Sequence, residues 1–171
     1  NLNRQLVATR RTVGQPKASA MAQRLGEINP AGEFTPLQAF YLPGQGQFLY
    51  DWQPQAVVDA VDNVTAKLDL VEQCRARGIP LLTCLGTGNR LDPSQLRLGD
   101  LAETAQGCGC GLARVLRREL RRRGITHHPV VYSLEPPRPV EGRAPASSPF
   151  VPPAAGLLMA CWAVGTLLGE G

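Results

Sequence analysis

Asp62 stands next to last in the stretch AVVDAVDN, residues 56–63, and is the best placed side chain in this sequence for chemistry. A short apolar run that ends in acidic residues is how a buried parallel strand delivers carboxylates to the edge of a sheet. At a nucleotide site such an Asp can hold Mg²⁺. Asp59 and Asp62 lie three apart and face opposite sides of an extended strand. They could act as an acid–base dyad only if the strand had already curled into its loop by Asp62. The competing reading makes Asp62 the cap of a helix that begins at Val64. Arg4 and Lys17 offer a bidentate guanidinium and a point-charge ammonium, a combination that suits a triphosphate. Two surface cations remain the simpler account of them.

Other groups are less directive. Gly86–Gly88 (GTG) has neither GxGxxG nor P-loop spacing and reads as a turn. Cys108 and Cys110, in GCGCG, lack the second cysteine pair that a structural zinc requires, which leaves a redox or thiolate role against two idle thiols. His127 and His128 precede Pro129 without a partner cluster and read as the entry to a strand. Six arginines fall between Arg114 and Arg123; on one helix face they could track a phosphate backbone or simply be solvated.

The elements that position these groups follow from periodicity. Residues 18–28 place Met21, Leu25 and Ile28 on one helical face and stop at Asn29-Pro30. Residues 33–42 read as a strand or extended connection, and 43–55 as loop. A strand over 56–61, a helix over 64–77 with Leu68, Val71 and Cys74 on one face, Gly78 as its terminator, and a strand over 79–85 make a βαβ unit. Its ligand crevice belongs where the strands end, at Asp62, Asn63 and GTGNR (86–90). A helix over 111–124 sets Leu112, Val115, Leu116 and Leu120 against Arg114, Arg117, Arg118 and Arg121. Residues 129–135 read as a strand, and 136–153 as a mobile Pro-rich loop. The uncharged run 154–169 is short for a membrane span and is expected to be a buried core helix.

With 171 residues, 43% hydrophobic and 19% charged, the sequence suits one globular domain and neither a disordered tail nor a low-complexity segment. A net charge of +4 hints at an anionic partner. Five cysteines and a polar start point to a reducing, cytoplasmic home without a membrane.

Four stretches, NLNRQ (1–5), TVGQPK (12–17), RLGEINP (24–30) and VVDAVDN (57–63), resemble the ThiF/MoeB/HesA family of E1-like adenylating enzymes in order and spacing. Residues 77–104, 112–125, 130–139 and 148–160 narrow the likeness to the branch that acts on tRNA, the threonylcarbamoyladenosine dehydratases. The resemblance covers essentially the whole chain. It implies an α/β, Rossmann-like fold, a mostly parallel sheet flanked by helices, with the family's first βαβ unit and its Gly-rich nucleotide loop expected to be missing. It also implies ATP and Mg²⁺ as cofactors and assigns roles. Asn1 and Arg4 would contact the ATP phosphates with Gln5 in support; Lys17 would do the same; Asp62, beside Asn63, would organise Mg²⁺ and the adenylation step. Arg4 and Asp62 carry the catalytic role in this scheme. The expected reaction is dehydration of threonylcarbamoyladenosine in tRNA through an acyl-adenylate. The partners would be tRNA, contacted by Arg114, Arg117, Arg118 and Arg121, and a second copy of the chain. The segment before the final helix lacks a cysteine, so no sulfur-relay partner is expected. The rivals are adenylation of a ubiquitin-like sulfur carrier and a non-catalytic remnant that binds tRNA or a partner.

Overall fold

Successive residues of an extended strand point to opposite sides of a sheet, and the central strands here use that alternation to build two cores. The computed structural model describes residues 1–140 and 145–169, in two compact units, Asn1–Phe40 and Tyr41–Gly171. In the second unit β1 (Val57–Asp59), β2 (Leu81–Cys84), β3 (Leu96–Asp100) and β4 (Pro129–Ser133) form one sheet in the order β1-β2-β4-β3. The β1–β2 and β2–β4 pairs are parallel, and β3 runs antiparallel along β4. Leu81 of β2 and Val130 of β4 pack with α3 (Val64–Arg77) and α4 (Gly111–Arg122) on one face. Leu82 and Val131, the next residue in each strand, pack with α5 (Val151–Leu168) on the other. The result is a three-layer α/β architecture of the Rossmann-like type.

Local sequence accounts for most boundaries. The expected helix over 64–77 is α3: Asn63 caps its start, and Gly78 ends it in a left-handed conformation (φ 67) that its lack of a Cβ makes inexpensive. In the first unit α1 (Lys17–Ile28) ends where Asn29 N–H donates back to Leu25 O, just before Pro30. Met21 and Leu25 on its apolar face are half-buried, and Ile28 is exposed.

Several expectations need correction. Residues 43–55 are not all loop. A one-turn helix, α2 (Gln47–Tyr50), forms there and is tied to α3 through Tyr41, whose hydroxyl lies 2.6 Å from that of Tyr50 and donates to Asp69 Oδ2 at 2.8 Å. Strand β3 had no counterpart in the sequence reading. Helix α5 starts at Val151, inside the Pro-rich run 136–153, because Pro is tolerated in a first helical turn; residues 141–144 of that run lie outside the described residues. The run 154–169 does not form a buried core helix. Only Val151, Ala155 and Met159 of α5 are buried, while Leu157 is 74% exposed. A helix laid on a sheet buries one stripe whatever its composition. By length and composition alone α5 is long and apolar enough to cross a membrane, a test that core helices also pass.

On the α3 side of β1 the alternation that buries Val57 also buries Asp59, 2% exposed. Lys67, fully buried one turn into α3, meets it at 3.0 Å to both carboxylate oxygens and donates a third bond to Cys84 O at 2.8 Å. Removing one partner of such a pair strands the other charge away from water. Lys67→Met is therefore expected to lower unfolding free energy by about 3–5 kcal/mol in urea titration, with Asp59→Leu added to it restoring most of the loss. A loss below about 1 kcal/mol for the single variant would show that Asp59 finds water instead.

His128, 4% exposed, shares a 2.8 Å hydrogen bond with Thr83 Oγ1, and its pKa is lowered to about 4, first by burial and then by the charge of Arg75, against the opposing pull of Asp100. The unfolded chain protonates this ring near pH 6.5. Above that pH the ring is neutral in both states and the stability is intact. Between pH 6.5 and about 4 only the unfolded state takes up the proton, so stability drops by about 3 kcal/mol in total. His128→Gln should flatten that part of the stability–pH curve relative to the parent chain; an unchanged curve would show that other groups carry it.

Candidate functional site

Strand β1 ends at Asp59, and the next residues decide what faces the crevice at the carboxyl edge of the sheet. Asp59 Oδ1 accepts from Val61 N–H at 3.0 Å, which turns the chain away from the strand direction. Asn63 then caps α3: its Oδ1 accepts from Ala66 N–H at 3.1 Å and from the Thr65 hydroxyl at 2.6 Å. Asp62 is exposed between them. The cap that could have explained Asp62 is thus taken by its neighbour, and the two aspartates do not form a dyad, one being locked in the core and the other in solvent.

The loop after β2 is organised by Arg90, a residue that the sequence reading did not single out. Its guanidinium is 2% exposed and donates only to carbonyl oxygens: Glu135 O at 2.8 Å, Cys108 O at 3.0 Å, Gly88 O at 3.4 Å and, by a short bond, Gly86 O. Arg90 therefore pins the GTG turn, the GCGCG loop and the segment after β4 to one another. Glu135 adds a second tie, its carboxylate accepting from Leu91 and Asp92 N–H groups. Those bonds, led by that of Asp92, hold its pKa below the usual carboxylate range. Asn89, at φ 61, closes the group by accepting from Ala146 N–H and donating to Ala146 O. The GTG stretch is a turn, as expected, and the described parts of the Pro-rich run lean on it.

Asn1, Arg4, Gln5 and Lys17 belong to the first unit. Arg4 Nη2 donates to Asn1 Oδ1 at 2.9 Å, and the backbone N–H groups of Arg4 and Gln5 both donate to Asn1 O. This turn presents Asn1 to a cavity of about 260 Å³ whose lining includes Val7, Thr12, Gly14 and Lys17. Arg4 is absent from that lining and lies alongside through Asn1. Gln5 Oε1 is buried without a hydrogen-bond partner among the described residues.

On α4 the buried stripe is Ala113, Leu116 and Leu120. Leu116 and Leu120 of the expected stripe are buried, Leu112 and Val115 are only half-buried, and Ala113 joins the buried side instead. Of the four arginines proposed for an anion, Arg114, Arg118 and Arg121 are exposed. Arg117 is half-buried and donates to Thr104 Oγ1 at 2.7 Å, so it is partly committed inside the fold. Arg118 also pairs with Glu119 at 2.9 Å.

A protein-family model, that of the ThiF family, matches residues 1–169. The chain belongs to the ThiF family. Within that family it is 33% identical over 188 residues to a tRNA threonylcarbamoyladenosine dehydratase of Bacillus subtilis, covering 99% of this chain and 73% of the relative. The crystal structure of the Escherichia coli tRNA N6-threonylcarbamoyladenosine dehydratase TcdA with AMP superimposes with a TM-score of 0.89 at 29% identity, covering 99% of this chain and 71% of that one. The same E. coli protein with ATP gives 0.73 at 30% identity, over 95% and 72%. These likenesses agree with the Rossmann-like fold described above.

Asn63 and Asp62 are separable by experiment. Asn63→Ala removes the α3 cap and should cost about 1 kcal/mol of stability. Asp62→Asn should change stability by less than about 0.5 kcal/mol, as exposed substitutions do. Equal losses in thermal unfolding would make Asp62 a structural residue.

Proposed function

We propose that this ThiF-family chain serves the ATP-dependent dehydration of threonylcarbamoyladenosine in tRNA. The observation that carries the reading is Asp62, exposed at the carboxyl edge of a Rossmann-like sheet with its capping role taken by Asn63. The likeness to an AMP-bound tRNA dehydratase supports it. In this reading the threonyl carboxylate of the substrate attacks the α-phosphorus of ATP and pyrophosphate leaves. The acyl-adenylate is then attacked by the neighbouring carbamoyl group, the ring closes and AMP leaves with the oxygen that is lost as water in the net reaction.

The side chains divide the work by charge. Arg4 and Lys17 neutralise phosphate oxygens, Asn1 and Gln5 supply neutral hydrogen bonds, and the orphaned Gln5 Oε1 is free to accept one. Among the described residues no three His, Cys, Asp or Glu side chains gather into a metal cage. A single exposed carboxylate nevertheless fits Mg²⁺, which usually takes one or two carboxylates and completes its shell with waters and substrate phosphates. Asp62 would hold it, and the ion would supply charge neutralisation at the phosphates. Arg114, Arg118 and Arg121 form the tRNA contact, with Arg117 fixed by Thr104 as a support for that face. A homodimer in the cytoplasm completes the reading, and the free cysteines of the described residues suit a reducing compartment.

The test is release of AMP and pyrophosphate from Mg-ATP with and without tRNA carrying the modification. Turnover is expected only with tRNA, and Asp62→Asn should lower it by about 10²-fold or more. Turnover driven by a protein ending in Gly-Gly, and indifferent to tRNA, would replace this reading with carrier-protein adenylation. Replacing Arg114, Arg118 and Arg121 by Gln should weaken tRNA binding and reduce its salt slope by about one for each phosphate no longer neutralised. An unchanged slope would remove α4 from the interface.

A further inference from the structure

The proposed reaction makes no use of Cys108 and Cys110, yet one short loop carries both thiols and gives them unlike surroundings. Cys108 is 1% exposed in the larger core. Cys110 is half-buried at the start of α4, where its sulfur accepts from Ala113 N–H at 3.5 Å. Cys108 stands two residues before Cys110, and the two thiols are each other's leading influence on proton affinity, Cys108 being raised and Cys110 lowered. The connecting loop is fixed: Gly107 and Gly109 have φ 75 and 57, and a Cβ on Gly109 would stand 3.0 Å from Pro137 Cδ.

The charges around the pair favour an anion. Arg90 is buried, donates to four carbonyls and has no carboxylate partner among the described residues. The Cys110 thiol is brought down to about 5, first by the hydrogen bond from Cys108, then by the N–H groups of Ala113 and Gly86 and by Arg90, while burial opposes the shift. Cys108 is raised, first by its neighbour Cys110 and then by burial. Cys84, the other thiol facing this spot, is pushed up to about 11 by burial. Cys110 opens onto a cavity of about 180 Å³ lined also by Thr104, Gly109, Arg114 and Arg117. A nucleophilic sulfur at a helix start, beside two guanidinium groups and backed by a second thiol, matches the needs of thiol–disulfide exchange with an anionic reagent.

We propose that Cys110 and Cys108 form an exchange site for small anionic disulfides of the glutathione class, with Cys110 attacking and Cys108 resolving. The Cys110 thiolate forms a bond to one sulfur of the disulfide RSSR, and the other sulfur leaves as RS⁻. Cys108 then loses its proton and attacks the Cys110 sulfur, forming the protein disulfide, and the second RS⁻ leaves. The proton from Cys108 ends on one of the two released groups. Two protein thiol groups are oxidised to one disulfide, and one RSSR is reduced to RSH and RS⁻.

The experiment treats the reduced full chain with glutathione disulfide at pH 7 and maps products by mass spectrometry after the remaining thiols are blocked. The parent chain should gain a Cys108–Cys110 disulfide and retain no glutathione. Cys108→Ser should stop at one glutathione on Cys110, and Cys110→Ser should lose reaction at this loop by about tenfold or more. Arg114→Gln should slow glutathione disulfide several-fold and leave the neutral hydroxyethyl disulfide unaffected. Stable glutathione on the parent chain, or parent-like reaction of Cys110→Ser, would overturn the assignment. A measurement that needs no variant is labelling with limiting iodoacetamide at pH 6. Cys110 should be labelled first, and first labelling of the exposed Cys161 would overturn its role as the attacking thiolate.

Discussion

The fully buried contact between Asp59 and Lys67 is the constraint on which the second unit depends. It joins the last residue of β1 to the first turns of α3 and, through the Cys84 carbonyl, to the end of β2. Both charges are out of water, so neither can be released without leaving its partner stranded. The contact acts together with the parallel register Val57↔Leu81, Val58↔Leu82 and Asp59↔Thr83 and with the packing of Leu68, Val71 and Cys74 to hold α3 against these strands. Because Asp59 must turn inward, the chain leaves the strand at that point and Asp62 emerges into solvent. The exposure of the candidate functional carboxylate follows from the burial of the structural one.

The two faces of the sheet are finished differently. The α3–α4 face closes around a large core that includes Leu116, Leu120, Val130 and Tyr132. The α5 face rests on a narrower set, Leu82, Leu96, Val131, Val151, Ala155 and Met159. The candidate groups of this unit follow the same division: Asp62, Asn63 and Cys110 lie at or beside the start of a helix on the thicker side, and the arginines run along α4 on that side. Helix starts offer unsatisfied N–H groups and a favourable field for anions, which is the common physical ground for reading nucleotide, phosphate or thiolate chemistry there.

Much of this was legible in the sequence because it is written in periodicity. The stripe Leu68, Val71, Cys74 and the Gly78 stop define α3, and the acidic end of the 56–61 run marks the carboxyl edge of β1. What was not legible depends on tertiary partners. Lys67 reads as a solvated lysine until the strand that buries it is known. Arg90 carries no motif, since its partners are backbone carbonyls from three loops and carbonyls leave no mark on residue type. Strand β3 offers only Leu96 and Leu98 as alternating apolar residues, and the β4 ladder supplies the rest. That Asn63 and not Asp62 caps α3 was not legible, because both types cap well and the exact start of the helix decides between them. The uncharged run of α5 reports composition and is silent on how many of its sides are covered.

The Arg90 clamp has a consequence for how this edge of the molecule can change. One planar group sets the separation of the GTG turn, the GCGCG loop and the segment after β4, and its donors have fixed directions. Lengthening or shortening any one of these segments would pull its carbonyl away and leave a buried cation under-coordinated, to the detriment of the other two. The three loops therefore behave as a single unit of inheritance, and a design that transplants one of them into another scaffold would have to carry all three together with Arg90.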